Sequence, residues 1–306
     1  MNQPGKLSIN QSTEAQQTDP SPLCHAPQSL KFSLSQITTY RSSWEDDIQQ
    51  IGKSSIPAIG LWKRKLIDVE KNLLIDRLLD SGLAVSSMSF IGGFTGSMGM
   101  TYAEAMDDAY ETMFLAAAVQ AKCVVIAPGS RGRYSARHER KLVAYAIREL
   151  ASMADELRLD LAVLPMRREA SHSWSFLHTL DDAMGLLSQV DRPRAGLAFD
   201  GFHLLNDPAN LEAVAAIADR IKHVQLSDQK VGSAGVVRCL PGEGSLPLEP
   251  LVKTLVANDY RGHFDVQVWP AQGSATSTQD VIQRCEDWFR TMDAQPTETP
   301  EVSGVM

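Results

Sequence analysis

Asp200 and His203 stand three residues apart in LAFDGFHLL (197–205), a stretch that is otherwise apolar. A carboxylate and an imidazole at the end of a buried strand are residue types that hold a metal ion or move a proton. The plainer alternative is a hydrogen-bonded carboxylate that closes a strand. Further polar residues end other apolar runs: Lys63 and Arg64, Arg131 and Arg133 in PGSRGRYS, Arg167 and Arg168, Gln225 and Asp228 in HVQLSD, and Gln267 in FDVQVW. Several of these segments are basic although the chain carries a formal charge of −8. Guanidinium groups gathered in this way suit an anionic small molecule such as a sugar phosphate or carboxylate, against the alternative of solvated surface arginines. Trp62 and Trp269 also end apolar runs, where an indole forms either the wall of a sugar pocket or simple core closure.

These residues need a scaffold that brings strand ends together. Short apolar runs predict strands over 32–37, 57–62, 83–90, 123–128, 159–165, 195–200, 221–228 and 263–269, each followed by a segment of helical period. Met106, Ala109, Tyr110, Met113 and Ala117 mark one helix face, and Val281, Ile282, Cys285, Trp288 and Phe289 another. Other helices are expected to begin near residues 43, 68, 136, 175, 208 and 247. Alternating strands and helices imply a parallel sheet with helical cover, and eight such units predict an α/β fold of the (β/α)8 TIM-barrel type. A doubly wound open sheet is the rival. It calls for a glycine-rich phosphate turn after an early strand, whereas IGGFTGSMG (91–99) follows the third strand with a different spacing. In a barrel the strand-end residues above share one face, while His223 and His263 begin their strands and fall on the opposite, structural face.

Composition narrows the partners. With 43% hydrophobic residues in 306, the chain can bury one large core. Its negative charge and lack of a basic cluster argue against a nucleic-acid partner. Eighteen apolar residues never run together, so a membrane span is not expected. Cys24, Cys123, Cys239 and Cys285 fit neither a zinc spacing nor a disulfide framework, which points to a reducing, cytoplasmic setting. Residues 1–28 and 294–306, rich in Gln, Ser, Pro and Thr, are expected to be disordered tails around a single domain over 29–293.

Three motifs carry a resemblance: D-x-F-H from Asp200 to His203, HVQLSD from His223 to Asp228, and RCLPGEG from Arg238 to Gly244. Together they resemble the xylose isomerase-like TIM barrels, which include sugar-phosphate isomerases, ketose epimerases, and inosose and dehydroshikimate dehydratases. The resemblance implies a divalent metal (Mg²⁺, Mn²⁺ or Zn²⁺) held by a Glu, an Asp, a His or Gln, and a second Glu from strands five to eight. Such an ion polarises a carbonyl or hydroxyl while the glutamates move a proton beside it. On this pattern Asp200 matches the aspartate, Gln225 the His/Gln position, His203 a histidine that touches substrate, and Arg238 a substrate-contacting arginine.

Two positions depart from the pattern. Leu164 stands where the fifth strand should end in Glu, and Gln267 where the eighth should carry the other. The resulting site (Asp200, Gln225, Gln267) is expected to hold a metal weakly or not at all. Glu169 and Glu243 are more readily surface or loop partners than substitutes. Three readings follow in order: an isomerase or epimerase-like protein acting on or binding a small sugar, inositol or related anion; a non-catalytic binder of such a ligand through His203, Arg238, Arg131, Trp62 and Trp269; and a dehydratase of the inosose or dehydroshikimate type. An endonuclease of the wider barrel group ranks below these for want of metal ligands and a basic groove.

Overall fold

The computed structural model describes residues 30–97, 99–170, 174–232, 235–269 and 276–294. The tails expected at the two ends lie outside them, save Ala294, which caps the last helix. Among the described residues, eight parallel strands close a barrel: β1 (Phe32–Ser35), β2 (Ala58–Trp62), β3 (Ala84–Gly92), β4 (Cys123–Ala127), β5 (Asp160–Val163), β6 (Ala195–Asp200), β7 (Ile221–Leu226) and β10 (Phe264–Val266). They run in that order, with β10 pairing to both β7 and β1. Each coincides with an expected strand. Around them lie α1 (Trp44–Gly52), α2 (Lys71–Ser81), α3 (Tyr102–Ala118), α4 (Ala136–Leu157), α5 (Leu180–Val190), the short α6 (Gly201–Leu204), α7 (Pro208–Ile217), α8 (Leu248–Ala257) and α9 (Thr278–Asp293).

Local chemistry sets the helix starts. Ser43, Thr101, Ser135 and Ser277 cap α1, α3, α4 and α9 by accepting the backbone N–H three residues on. Two starts differ from expectation. The helix expected near 68 begins at Lys71, because the Glu70 carboxylate accepts the N–H groups of Asn72 and Leu73. The one expected near 175 begins at Leu180 behind a Thr179–Asp182 capping box, while the Ser175 hydroxyl is turned to the carbonyls of Leu164 and Leu177. A third difference matters more for the site. The seventh strand stops at Leu226, and the chain then makes an antiparallel hairpin that was not expected, β8 (Asp228–Gly232) with β9 (Gly235–Cys239).

Alternation along the strands sorts two kinds of interior. Val124, Ile126, Leu161, Val163, Leu197 and Phe199 face the core shared with the helices, while Val125, Ala127, Ala162, Leu164 and Ala198 form a smaller cluster inside the barrel. Across from that apolar wall, the inward residues of β7, β10 and the residue just past β10 are polar and buried: His223, Gln225, Asp265 and Gln267. Asp265 is accommodated because β2 offers Gly60 opposite it, where a Cβ would come within 2.6 Å of the carboxylate. The barrel lumen is therefore polar on the side that carries the candidate site.

Candidate functional site

Asp200 is the last residue of β6 and is completely buried. Its side chain caps α6, with Oδ1 accepting the His203 N–H at 3.2 Å, and this local turn is what the three-residue spacing encodes. Oδ2 accepts from Arg238 Nη1 at 3.0 Å. The same guanidinium group donates to Ser227 Oγ at 2.7 Å and to the Gln267 carbonyl at 3.3 Å, and its Nη2 lies 2.7 Å from His203 Nε2. Arg238 comes from β9, so the hairpin reaches over the barrel to deliver this cation.

The hairpin is fixed at its base by Asp228. That buried carboxylate accepts four backbone N–H groups, from Gln229, Gly242, Gly244 and Leu246, and so ties the start of β8 to the PGEG segment. Glu243 pairs with Lys230 and Arg284 and braces the same segment. Arg167 completes the arrangement. It donates through Nη1 to the Phe202 carbonyl and to Gln229 Oε1, and its backbone N–H points to His203 Nδ1 at 3.3 Å. The Phe202 ring carries both guanidiniums, Arg167 at 4.5 Å and Arg238 at 4.4 Å from its centroid.

His203 is held neutral by this setting. Burial, then the Arg238 and Arg167 charges, bring its pKa down to about 3, against the opposing pull of Asp200. Both ring nitrogens face N–H donors, so the imidazole acts as an acceptor, and the short contact makes Nε2 the accepting atom toward Arg238. Such a ring is a weak base with its basic nitrogen already engaged.

Above these residues opens a cavity of about 490 Å³ at the carboxyl ends of the strands. Arg64, His203, Arg238 and Gln267 are its polar lining, and Phe90, Trp174, Phe202, Trp269, Leu164, Met166 and Val237 its apolar lining. The structure thus brings His203, Arg238, Gln267 and Trp269 to one cavity. Trp62 stands behind Trp269, edge to face at 5.4 Å, rather than in the lining itself. Arg131 is outside the lining too: its side chain is 62% exposed and its guanidinium lies 3.8 Å from buried Glu139. Glu169 is exposed beside Arg167. Phe202 and Ser227 lie inside the three motifs and Phe90 ends the third expected strand, whereas nothing in the sequence marks Trp174.

The metal positions can be tested against what a divalent cation needs. Leu164 offers no lone pair. Both oxygens of Asp200 are committed, and Gln225 Nε2 donates to Gln267 Oε1 at 2.9 Å, which uses that carbonyl. Among the described residues no group of three or more His, Cys, Asp or Glu is placed to hold a metal. At an effective dielectric of about 20, a divalent ion about 4 Å from a guanidinium is repelled by roughly 8 kcal/mol. With Arg238 on Asp200, these residues do not fit a divalent ion.

A closed (β/α)8 barrel with polar strand-end residues around a cavity at its carboxyl face is a TIM barrel with its cavity on the face where such barrels carry their sites. More narrowly, the chain belongs to the xylose isomerase-like TIM barrel family, whose model matches residues 58–291. Curated relatives include an inosose dehydratase of Clostridium beijerinckii, 28% identical over 157 residues (46% of this chain, 51% of the relative). A D-psicose 3-epimerase of Enterocloster bolteae is 24% identical over 139 residues, covering 45% of this chain and 43% of the relative. The chain thus spans about half the length of these relatives, or less. Among solved structures, a Sinorhizobium meliloti protein superposes with a TM-score of 0.77 at 20% identity, over 86% of this chain and 98% of that one. The IolI protein, described with a binding zinc atom, gives 0.73 at 17% identity over 86% and 98%. At these identities the structural likeness speaks for the fold.

Proposed function

We propose that this chain binds a small, ring-shaped, polyhydroxylated anion in the cavity at the barrel mouth, and that it does so without a divalent metal. The ligand is of the sugar-acid, sugar-phosphate or cyclitol type. The observation that carries the reading is the polar lining of the cavity: among the described residues, two arginines, a neutral imidazole and a carboxamide, with the Asp200 carboxylate that touches them fully buried and paired to Arg238. Arg64 supplies charge for an anion, Arg238, already balanced by Asp200, adds N–H donors, and Trp174, Phe202 and Trp269 supply flat apolar surface for a ring. The relatives, an inosose dehydratase and a D-psicose 3-epimerase by name, support a ring-shaped or sugar-like ligand class.

Binding is favoured over isomerisation, epimerisation or dehydration. Each of those reactions needs a base positioned on a C–H bond, and among the described lining residues the candidate is His203, whose pKa is near 3 and whose Nε2 faces Arg238. A cytoplasmic setting belongs to the same proposal, supported by the free, buried thiols of Cys123, Cys239 and Cys285. Among the described residues no helix is long and apolar enough to cross a membrane.

The test is calorimetric titration in EDTA with D-glucuronate, glucose 6-phosphate and neutral myo-inositol. Binding of at least one of the two anions, tighter than myo-inositol and weakened about tenfold by Arg64→Ala, is the expected result, with the ligand recovered unchanged. Binding that appears only on adding Mn²⁺, or no preference for the anions, refutes the proposal.

A further inference from the structure

A completely buried carboxylate needs compensation, by several N–H donors as at Asp228 or by a cation, since an unpaired charge in a desolvated site is far costlier than a paired one; Asp200 accepts a single backbone N–H and so leans on a cation. In the four-ligand pattern that cation is divalent and is balanced by three carboxylates. Here Leu164 and Gln267 leave Asp200 as the sole carboxylate among the four positions, and one negative charge is matched by one positive charge. We propose that the Arg238 guanidinium, at the position the resemblance gives to a substrate-contacting arginine, is here the resident cation of this site, seated on Asp200 with no metal ion between them and tethered there by the β8–β9 hairpin. This rests on the reading of the mouth cavity as the binding site.

The geometry supports a built-in cation rather than a chance ion pair. Arg238 is 9% exposed, and Nη1 has three oxygens around it: Asp200 Oδ2, Ser227 Oγ and the Gln267 carbonyl. Nη2 takes the lone pair of His203 Nε2, a nitrogen a metal would otherwise compete for. Arg238 Cζ sits over the Phe202 ring, 4.4 Å from its centroid. Arg238 also faces Gln229 across the hairpin, and Gln229 is held in turn by Arg167. Its planar fork is thus fixed from several sides, which a lysine could not reproduce. Among the hydrogen bonds of the described residues, Nε and the second Nη2 hydrogen remain unused, and Arg238 lines the cavity. Those groups are the ones offered to an oxyanion of the ligand.

The assignment is tested on the full chain with Mn²⁺ alone, followed by electron paramagnetic resonance, and with guanidinium at millimolar concentration, followed by melting temperature. Arg238→Ala and Arg238→Met free Asp200, His203 Nε2 and the Gln267 carbonyl. They are expected to bind Mn²⁺ at least tenfold more tightly than wild type, and the gain should vanish when Asp200→Asn is added. Arg238→Lys keeps the charge and is expected to bind Mn²⁺ as weakly as wild type. Guanidinium should raise the melting temperature of Arg238→Ala and leave wild type unchanged; Arg238→Met, which keeps the side-chain stem, carries the Mn²⁺ test should alanine not fold. A tightly held equivalent of Mn²⁺ in wild type, or variants that gain no Mn²⁺ affinity over wild type, overturns the assignment. No organic ligand enters these measurements, so the resident cation and the anionic ring ligand stand or fall separately.

Discussion

Lowering the pH from 7 to 5 isolates the cost of burying His203 beside two guanidiniums. Its pKa is about 3 in the folded chain, against 6.5 for an imidazole in water. As pH falls below 6.5 the unfolded chain takes up the proton while the folded chain does not, so stability drops; above that value the two states bind equally and the contribution is complete. The linkage relation gives a loss of about 2 kcal/mol between pH 7 and pH 5 from this one residue, continuing toward pH 3. At pH 5 the folded imidazole is still neutral, so the loss is set by the unfolded value. His263, brought down to about 4 by burial and then by His223, loses stability over an overlapping range. The readout is therefore the difference between wild type and His203→Gln, in which His263 and the carboxylates cancel. Urea denaturation at pH 7, 6 and 5 should show wild type losing about 2 kcal/mol more than the variant. Parallel losses would mean that His203 is solvated and protonates freely, and the packed Asp200–His203–Arg238 cluster would have to be discarded.

Asp200→Asn and Arg238→Met should each cost about 3 kcal/mol, as expected for breaking a buried ion pair, while the double variant costs about 2 kcal/mol less than their sum, by a double-mutant cycle from denaturant melts. Asp228→Ala leaves backbone N–H groups of the PGEG segment without their buried acceptor and should lower stability by about 3 kcal/mol. Hydrogen exchange should then rise in β8 and β9 while the barrel strands stay protected. Gly92→Ala should be far more damaging than an exposed substitution, by roughly 4 kcal/mol, since its Cβ would meet the Ala127 carbonyl oxygen at 1.7 Å with φ at +146°. Soluble yield and melting temperature check it.

The barrel was legible because its signal is repeated. Eight apolar runs separated by helical periods leave few alternatives, and errors at single ends, such as the helix that waits for the Glu70 cap, do not change the topology. Asp200 and His203 were legible for a local reason: three residues is the span over which a strand-end carboxylate caps the next turn. The hairpin was not read, because five residues of β8 and five of β9 lie within the connection after the seventh strand and carry no periodic apolar face of their own. With it went the target of Arg238. A guanidinium 38 positions from its carboxylate can be placed only once the path of the connecting strand is known. Arg131 shows the converse: a basic residue in a strand-end loop looks like a ligand contact until the fold turns it toward Glu139.

Leu164 and Gln267, standing where the resemblance implies two glutamates, cost the barrel little. Gln267 is close in size and shape to a glutamate and keeps a hydrogen bond, to Gln225, while Leu164 fills the inner wall with Val125, Ala162 and Ala198 without burying charge. Asp200 is the position with consequences, since a carboxylate at that depth that accepts a single backbone N–H opposes folding unless a positive charge accompanies it. A metal ion is supplied from solution and depends on concentration, whereas a guanidinium on the hairpin is present whenever the chain is folded. The substitution also alters the chemistry available. A divalent ion presents open coordination positions and a strong Lewis-acid field, but a guanidinium presents fixed N–H directions and a single diffuse charge. That is enough to orient and hold an oxyanion, and too little to acidify a C–H bond beside a carbonyl. Three features together support the proposal of an anion held without turnover: Leu164 and Gln267 at the glutamate positions, the neutral His203, and the arginine on Asp200.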